Sequence, residues 1–328
     1  MTVLVTGGAG FIGSHVVDRL RAHGHEPRIY DLVRSPYVNG DVEHVVGDLL
    51  DRDALVRATR GCDAVVHLAA VADVNDVAAD PAHADLVNVR GTQYALEAAR
   101  SNGIARFVYA STIWVYGGAS NGNGHALDED TPLVLPSHFY TATKIAGEMY
   151  CRSYAALYDL EQTTLRFGIP YGPRSRVAAV VAAFVARATA GEPLLIAGDG
   201  LQSRQFVYVE DLADGVVAAL SDTSPADLYN LVGEESVTVK AIAEHVRELV
   251  ADVPIVHVEG RKGDFQSRPA SGERAARDLG WRASTPFHEG IRSYVDWLSA
   301  TNESPRERTD STIAASAPAV LRQEPEAL

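Results

Sequence analysis

The sequence predicts an α/β protein: a doubly wound parallel sheet with a smaller C-terminal α/β lobe. Three observations carry this. Short β-rich runs alternate with longer helical patterns through the first half of the 328-residue chain, the rhythm of strands joined by crossover helices. The run Val65-Val66-His67-Leu68-Ala69 is apolar on both faces, as a strand covered by helices on both sides must be. A glycine-rich turn, Gly7-Gly8-Ala9-Gly10-Phe11-Ile12-Gly13, joins the first strand to the first helix, where such folds bind phosphate.

The expected strands of the first half are Val3–Thr6, Pro27–Asp31, Val42–Asp48, Ala64–Leu68, Arg106–Ser111 and Thr163–Phe167. Between the first two, Ile12–Ala22 places Ile12, Val16, Val17 and Leu20 on one helix face. After Gly172 the pattern loosens. Val177–Thr189 reads as helix, Pro193–Ile196 as strand, and further apolar patterns follow at Val207–Leu220 and Thr238–Val250, with a final helix at Phe287–Leu298. The domain expectation is therefore a cofactor domain over 1–172 and a substrate lobe over 173–298, with some interleaving of the chain. Residues 299–328 form a polar, proline-containing tail with too little apolar surface to offset the entropy of ordering.

Composition narrows the function classes. Hydrophobic residues at 46% and charged residues at 22% suit a globular core with a soluble surface. The net charge of −14 repels phosphate backbones and anionic lipid, which argues against nucleic acid and membranes as partners. Cys62 and Cys151 are too few for a metal cluster and read as buried thiols of a reducing compartment. No basic stretch precedes an apolar run at the N-terminus, and the longest apolar run, Val177–Ala186, is too short to span a bilayer. A soluble, cytoplasmic protein with no metal is expected.

Glycines 8, 10 and 13, or 7, 10 and 13, give the tight turn and close backbone approach that a pyrophosphate at a helix N-terminus needs. The second strand ends at Asp31, 18 residues beyond Gly13. A carboxylate there accepts from both ribose hydroxyls and repels a 2′-phosphate, favouring NAD over NADP; Arg34 is the contrary hint. Asp48 is a weaker candidate for the adenine edge, and His67 reads as a packed, hydrogen-bonded core residue. Tyr140 and Lys144 stand four residues apart on one helix face. An ammonium so placed is expected to bring the phenol down from its usual ~10, toward the range of a general base or acid for an alcohol/ketone pair.

Together TGGAGFIG, Asp31, GDLL, HLAA, Asn88-Val-Arg-Gly-Thr92, STIWVYG, YTATK, LRFGIPYGPR, GDGLQSRQFVYVED and LGW resemble the extended short-chain dehydrogenase/reductase family. The branch is that of the NAD-dependent nucleotide-sugar epimerases and dehydratases, with a Rossmann-type cofactor domain, and the resemblance covers residues 1–298. It implies a catalytic triad of Thr112, Tyr140 and Lys144, with Ser111 as the less favoured hydroxyl. It implies NAD contacts from Gly7, Gly10, Phe11, Ile12, Gly13, Asp31, Asp48, Leu49, Leu68, Ala69, Ala70, Ser111, Tyr140 and Lys144. Substrate contacts implied are Thr112, Trp114, Ile169, Arg204, Arg261 and Asp264, with Arg268 a further candidate. A homodimer through helices near Asp85–Arg100 and Thr143–Tyr158 is also implied.

Two departures from the family bear on the reaction. Related dehydratases and decarboxylases carry a carboxylate two residues after the catalytic threonine, where this chain has Ile113 and Trp114. Ile169 stands where an asparagine usually contacts substrate. The expected activity is a nucleotide-sugar 4-epimerase working through a transient 4-keto-sugar. The alternatives are a dehydratase or decarboxylase, a dehydrogenase or reductase on a non-sugar alcohol, and, least favoured, a non-catalytic NAD sensor.

Overall fold

The computed structural model describes residues 1–38, 40–119, 126–136, 138–221, 227–259 and 268–301. The chain runs β1 (Thr2–Thr6), α1 (Phe11–Ala22), β2 (Glu26–Asp31), β3 (Glu43–Val46), α2 (Arg52–Thr59), β4 (Ala64–His67), α3 (Val74–Ala79), α4 (Pro81–Asp85). A π-helical turn (Leu86–Arg90) leads into α5 (Gly91–Ser101), then β5 (Arg106–Thr112), a 3-10 turn (Ile113–Tyr116), α6 (Phe139–Tyr158) and β6 (Gln162–Phe167). There follow β7 (Ile169–Tyr171), α7 (Val180–Thr189), β8 (Leu194–Ala197), β9 (Ser203–Tyr208), α8 (Val209–Ala218) and β10 (Leu228–Leu231). The last elements are β11 (Ser236–Thr238), α9 (Val239–Leu249), β12 (Ile255–Val258), α10 (Glu273–Leu279) and α11 (Phe287–Thr301).

Seven strands form one parallel sheet in the order β10-β6-β5-β4-β1-β2-β3. The chain winds outward from β1 to β3 on one side and from β4 to β6 on the other, so the order reverses between β1 and β4. Ligands of such sheets bind outside the strand C-termini at that reversal. Val3, Val5, Val66 and Val108 face a helix layer that includes Val16, Val17 and Leu20 of α1. Leu4, Val65, Phe107 and Tyr109 face a second layer built from α2, α5 and α6. The doubly wound arrangement is thus observed, and the central strands β1 and β4 are buried on both faces because both are covered.

The second lobe holds a three-stranded sheet, β11-β9-β7, and a parallel pair, β12-β8. Its own core joins Phe184, Phe206, Tyr208, Ile242, Phe287 and Ile291. The chain returns to the large sheet through α8, which packs on α1, and β10, which pairs with β6. The α8 helix and β10 therefore belong physically to the cofactor-domain core.

Several element boundaries differ from the sequence reading. Val207–Leu220 divides between β9 and α8, because Glu210 and Asp211 favour a helix start in the first turn. The α7 helix begins at Val180 rather than Val177, after a turn in which Ala179 N–H donates to Arg176 O. The third strand is shorter than expected: its pairing ends at Val46 opposite Asp31, and Gly47 N–H then donates to the Asp31 carbonyl. Both cysteines are buried and unbridged. The tail beyond Thr301 lies outside the described residues. Among the described residues no helix is long and apolar enough to cross a membrane.

One carboxylate ties the two lobes together. Asp211, in the first turn of α8, accepts from Ser284 N (3.1 Å), Ser284 Oγ (3.0 Å) and Thr285 N (2.8 Å), just before α11. The Asp211 carbonyl accepts from Trp281 Nε1 at 2.8 Å. Asp211→Ala should leave these donors without an acceptor and cost about 2–3 kcal/mol in urea denaturation, with α11 losing hydrogen-exchange protection first.

Candidate active site

The glycine turn brings β1 and α1 closer than any other residue type allows. A Cβ on Gly13 would run into the Gly7 carbonyl, and Gly7 itself has φ +71° with Ala69 N 2.8 Å from its missing Cβ. At Gly10 a Cβ would meet only the Gly7 carbonyl, at 3.3 Å. Gly10 is the N-cap of α1 and supplies no side-chain cap, so the first N–H groups of the helix are left for an anion. At the end of β2, Asp31 Oδ2 accepts from Ala9 N at 3.0 Å, joining the turn to the strand that carries the carboxylate. Burial raises the Asp31 carboxyl, opposed by the Ala9, Val33 and Leu32 amides. Leu68, Ala69 and Ala70 emerge half-buried from β4 beside this turn, with Ala69 N donating to Thr6 Oγ1 at 3.3 Å. An uncapped helix start, a cradle free of side chains and a neighbouring carboxylate suit the pyrophosphate and ribose of NAD.

The adenine-side candidates divide. Asp48 is exposed and its carboxylate accepts from Leu50 N at 2.9 Å, so it ends β3 as a local cap. Leu49 is buried in the core, against Gly91 of α5. His67 is fully buried between Thr6 Oγ1 (2.7 Å) and Thr92 Oγ1 (3.0 Å), and its ring stacks on Tyr109. Desolvation, with Lys144 adding to it, pulls its pKa down to about 3; it is a neutral core residue.

The triad candidates converge at the C-terminal end of β5. Thr112, 8% exposed, ends the strand, and its Oγ1 accepts from Trp114 N at 3.2 Å. Helix α6 lies close on β5 because Gly147 leaves room for the Tyr109 ring. It presents Tyr140 and Lys144 to the same strand end. Lys144 Nζ donates to the Ala110 carbonyl at 2.9 Å and lies 5.9 Å from the centre of the Tyr140 ring. Asn88, in the π-helical turn, reaches this helix too: its Nδ2 donates to Val71 O (2.9 Å) and Thr143 Oγ1 (3.1 Å). An inserted residue of this kind is frequent at functional sites, and here its amide ties the loop after β4 to α6.

The electrostatics correct one expectation. Burial pushes the Tyr140 phenol up to about 12, with Arg176 opposing, and Lys144 does not offset it. Lys144 is itself pulled down to about 8 by burial. The ammonium is spent on the Ala110 carbonyl instead of the phenol oxygen, so at neutral pH the pair holds a protonated phenol beside a charged lysine.

Ser111 is turned away from Thr112. Its Oγ donates to Glu148 Oε1 at 2.5 Å, and Glu148 also receives Arg166 through Nε (3.0 Å) and Nη2 (2.7 Å). Glu148 and Arg166 were not singled out from sequence. The signal was available: Tyr140, Lys144 and Glu148 repeat at four-residue spacing along one helix face.

The substrate-side candidates are only partly assembled. Trp114 packs edge-on against Tyr140 (6.5 Å between centroids) and His138 (5.5 Å), so the indole borders the phenol. It also lines a small cleft with Ile113, Tyr116, Leu127 and Arg268. Ile169 opens β7 half-buried, paired with Phe206. Arg204 lies on β9 with Nη1 on the Ser203 carbonyl at 2.8 Å, opposite Val237. Arg261 and Asp264 lie outside the described residues. Arg34 stands in the loop after Asp31 and its charge lowers the His44 pKa after burial has done so.

Three comparisons place this geometry. The model of the NAD dependent epimerase/dehydratase family matches residues 3–231. The UDP-glucose 4-epimerase of Mycolicibacterium smegmatis is 36% identical over 316 residues, spanning 91% of this chain and 98% of that protein. Among solved structures, the Thermus thermophilus UDP-glucose 4-epimerase in complex with NAD is 34% identical with a TM-score of 0.83, over 91% of this chain and 99% of that one. The dTDP-glucose 4,6-dehydratase DesIV of Streptomyces venezuelae, with NAD and TYD bound, is 29% identical with a TM-score of 0.85, over 92% and 98%.

His67 and His15 make the site's foundation acid-sensitive. Burial holds the folded pKa of His67 near 3 and of His15 near 4, below the ordinary 6.5 of an unfolded chain. Stability is therefore full above about pH 6.5 and falls as the unfolded state takes up protons the folded state refuses. Each histidine should cost about 2 kcal/mol between pH 7 and pH 5. Urea titrations at the two pH values should show a smaller loss in His67→Gln than in the parent.

Proposed function

This chain belongs to the NAD dependent epimerase/dehydratase family and is an NAD-dependent nucleotide-sugar enzyme, and on that premise we propose that it is a 4-epimerase of a UDP-sugar. The observation that carries the choice is the neighbour of the phenol. Trp114 borders Tyr140 and Ile113 is buried, at the positions where dehydratases and decarboxylases of this family resemblance carry a carboxylate. Neither side chain can move a proton, so the keto-sugar has no partner for elimination on that side.

Bound NAD supplies oxidation at the sugar carbon and the returning reduction at the same carbon. The chain's own residues handle the proton and the pose. Tyr140 Oη, ionised with the help of the Lys144 ammonium, takes the proton of the sugar 4-hydroxyl and returns it to the 4-keto oxygen. The Thr112 hydroxyl hydrogen-bonds that oxygen, and the Lys144 ammonium stabilises charge developing on the phenol. Gly7, Gly10, Phe11, Ile12 and Gly13 hold the pyrophosphate, and Asp31 the adenosine ribose. Trp114 and Ile169 give the sugar an apolar wall on which it can turn over, while Arg204 serves the diphosphate through its planar fork.

A homodimer through α5 and α6 fits the same reading. Met149 and Leu157 are exposed two turns apart on α6, and Leu86 stands out from the π-helical turn before α5. Leu157→Glu should convert a dimer to a monomer in light scattering. For the chemistry, incubation with a panel of UDP-sugars followed by product NMR should give the 4-epimer with no net NADH. Loss of water or CO2, or accumulating NADH, would overturn the epimerase reading. Tyr140→Phe should lower turnover about 10²–10⁴-fold while NAD stays bound; undiminished turnover would remove Tyr140 from the mechanism.

A further inference from the structure

The buried ion pair beneath the triad costs more to fold than an apolar pair of the same volume would, which raises the question of what it does. Glu148 and Arg166 side chains are each only 4% exposed and meet through two hydrogen bonds. Both carboxylate oxygens are used, one of them twice: Oε1 receives Ser111 Oγ as well as Arg166 Nε. Arg166 in turn stacks its guanidinium 4.8 Å from the centre of the Tyr116 ring, and Tyr116 Oη donates to Asn230 Oδ1 at 2.9 Å. The pair thus reaches both elements that carry the triad and the turn that carries Trp114. Glu148 is on α6 with Tyr140 and Lys144, Ser111 precedes Thr112 on β5, and Tyr116 closes the 3-10 turn that carries Trp114.

We propose that Glu148, clamped by Arg166, is the positioning residue of the triad: it draws Ser111 away from the site so that Thr112 is presented, and it is the counter-charge for the Lys144 ammonium. The proposal rests on the reading of Tyr140 and Lys144 given above, and deepens it.

Geometry gives the first half. Consecutive residues of a strand point to opposite faces, so the bond from Ser111 to Glu148 fixes which of two adjacent hydroxyls meets substrate. A slip of one residue would present Ser111 instead. For the second half, the groups around Lys144 are few. From β5 it meets the Tyr109 ring at 5.3 Å; from its own helix Tyr140, Glu148 and Cys151; from β4 the neutral His67. Burial lifts the Cys151 thiol far above its ordinary range, and Tyr109 and Tyr140 are likewise raised by burial, so these are uncharged at neutral pH. Glu148 is the anion of the set. It opposes the burial that draws the Lys144 pKa down to about 8.

The chain has three lysines, Lys144, Lys240 and Lys262, so ¹⁵N-lysine labelling reports the Lys144 ammonium directly and needs no substrate. Its titration midpoint should lie near 8 in the parent protein and fall by about one unit in Glu148→Gln, as expected when an opposite charge is removed at close range. Glu148→Asp should restore the midpoint. If Glu148→Gln does not fold, Glu148→Gln with Arg166→Met buries no lone charge and carries the same measurement. Ser111→Ala, which keeps the ion pair, should leave the Lys144 midpoint in place but lower kcat about tenfold at unchanged KM on a UDP-sugar. An unmoved midpoint in Glu148→Gln, even with a lowered Tm, would reduce Glu148 to a structural residue and overturn the counter-charge role. Unchanged kcat in Ser111→Ala would overturn the positioning of Thr112. Failure of the family chemistry itself would show separately, as full activity in Tyr140→Phe with the lysine titration unaffected.

Discussion

The rest of the site depends on how closely α1 approaches β1. Where Gly13 passes the Gly7 carbonyl there is no room for a Cβ, and Gly7 must take a left-handed conformation to make the turn. That contact aims the helix start at the sheet reversal and brings Ala9 N within 3.0 Å of the Asp31 carboxylate. It also seats Gly7 against Ala69, so the strand end of β4 closes the cradle from the other side. A bulkier residue at Gly13 would lift the helix from the sheet and separate three ligand groups at once. The anion site and the ribose site are therefore one mechanical unit, set by a single backbone contact.

Burial then decides the acid–base character. The packing that places Tyr140 and Lys144 against β5 half-buries the first and buries the second, which raises the phenol and lowers the ammonium. Sequence spacing alone suggested the reverse for Tyr140, because spacing reports proximity and not desolvation. A phenol protonated near neutrality must give up its proton before it can take one from the sugar. Ionising it calls for charge stabilisation by groups gathered around the phenol, of which Lys144, 5.9 Å from the ring centre, is one.

Legibility followed the length of the pattern. Six of the seven strands of the large sheet, β1 to β6, and the helix after the glycine turn were readable, because strand runs and helical spacing alternate in a regular rhythm there. The short strands β7, β10, β11 and β12 stand outside that rhythm and left no such trace, and β10 joins a sheet whose other strands end some sixty residues earlier in the chain. The triad spacing was legible; the ion pair under it was not, since Arg166 reaches Glu148 across two elements and no local spacing announces it. Leu49, a motif position expected to touch cofactor, packs its side chain in the core against Gly91.

The choice among reactions turns on an inventory of proton carriers around the keto-sugar. Elimination or decarboxylation needs a second group that moves a proton while the 4-keto oxygen is held, whereas inversion needs only the first group and space to rotate. Around the phenol the structure places an indole, a buried isoleucine and the partly buried His138, which accepts at Nδ1 from Thr141 N as the N-cap of α6. Among the described residues the carboxylates of this region are committed: Glu148 to Arg166 and Ser111, and Glu129 to Asn230 N at 2.7 Å with Arg274 beside it. Asp73 caps α3 through Asn75 N. The proposed epimerase reading rests on this: with Trp114 against the phenol and these acids engaged, the keto-sugar is returned by the route it came, on the other face.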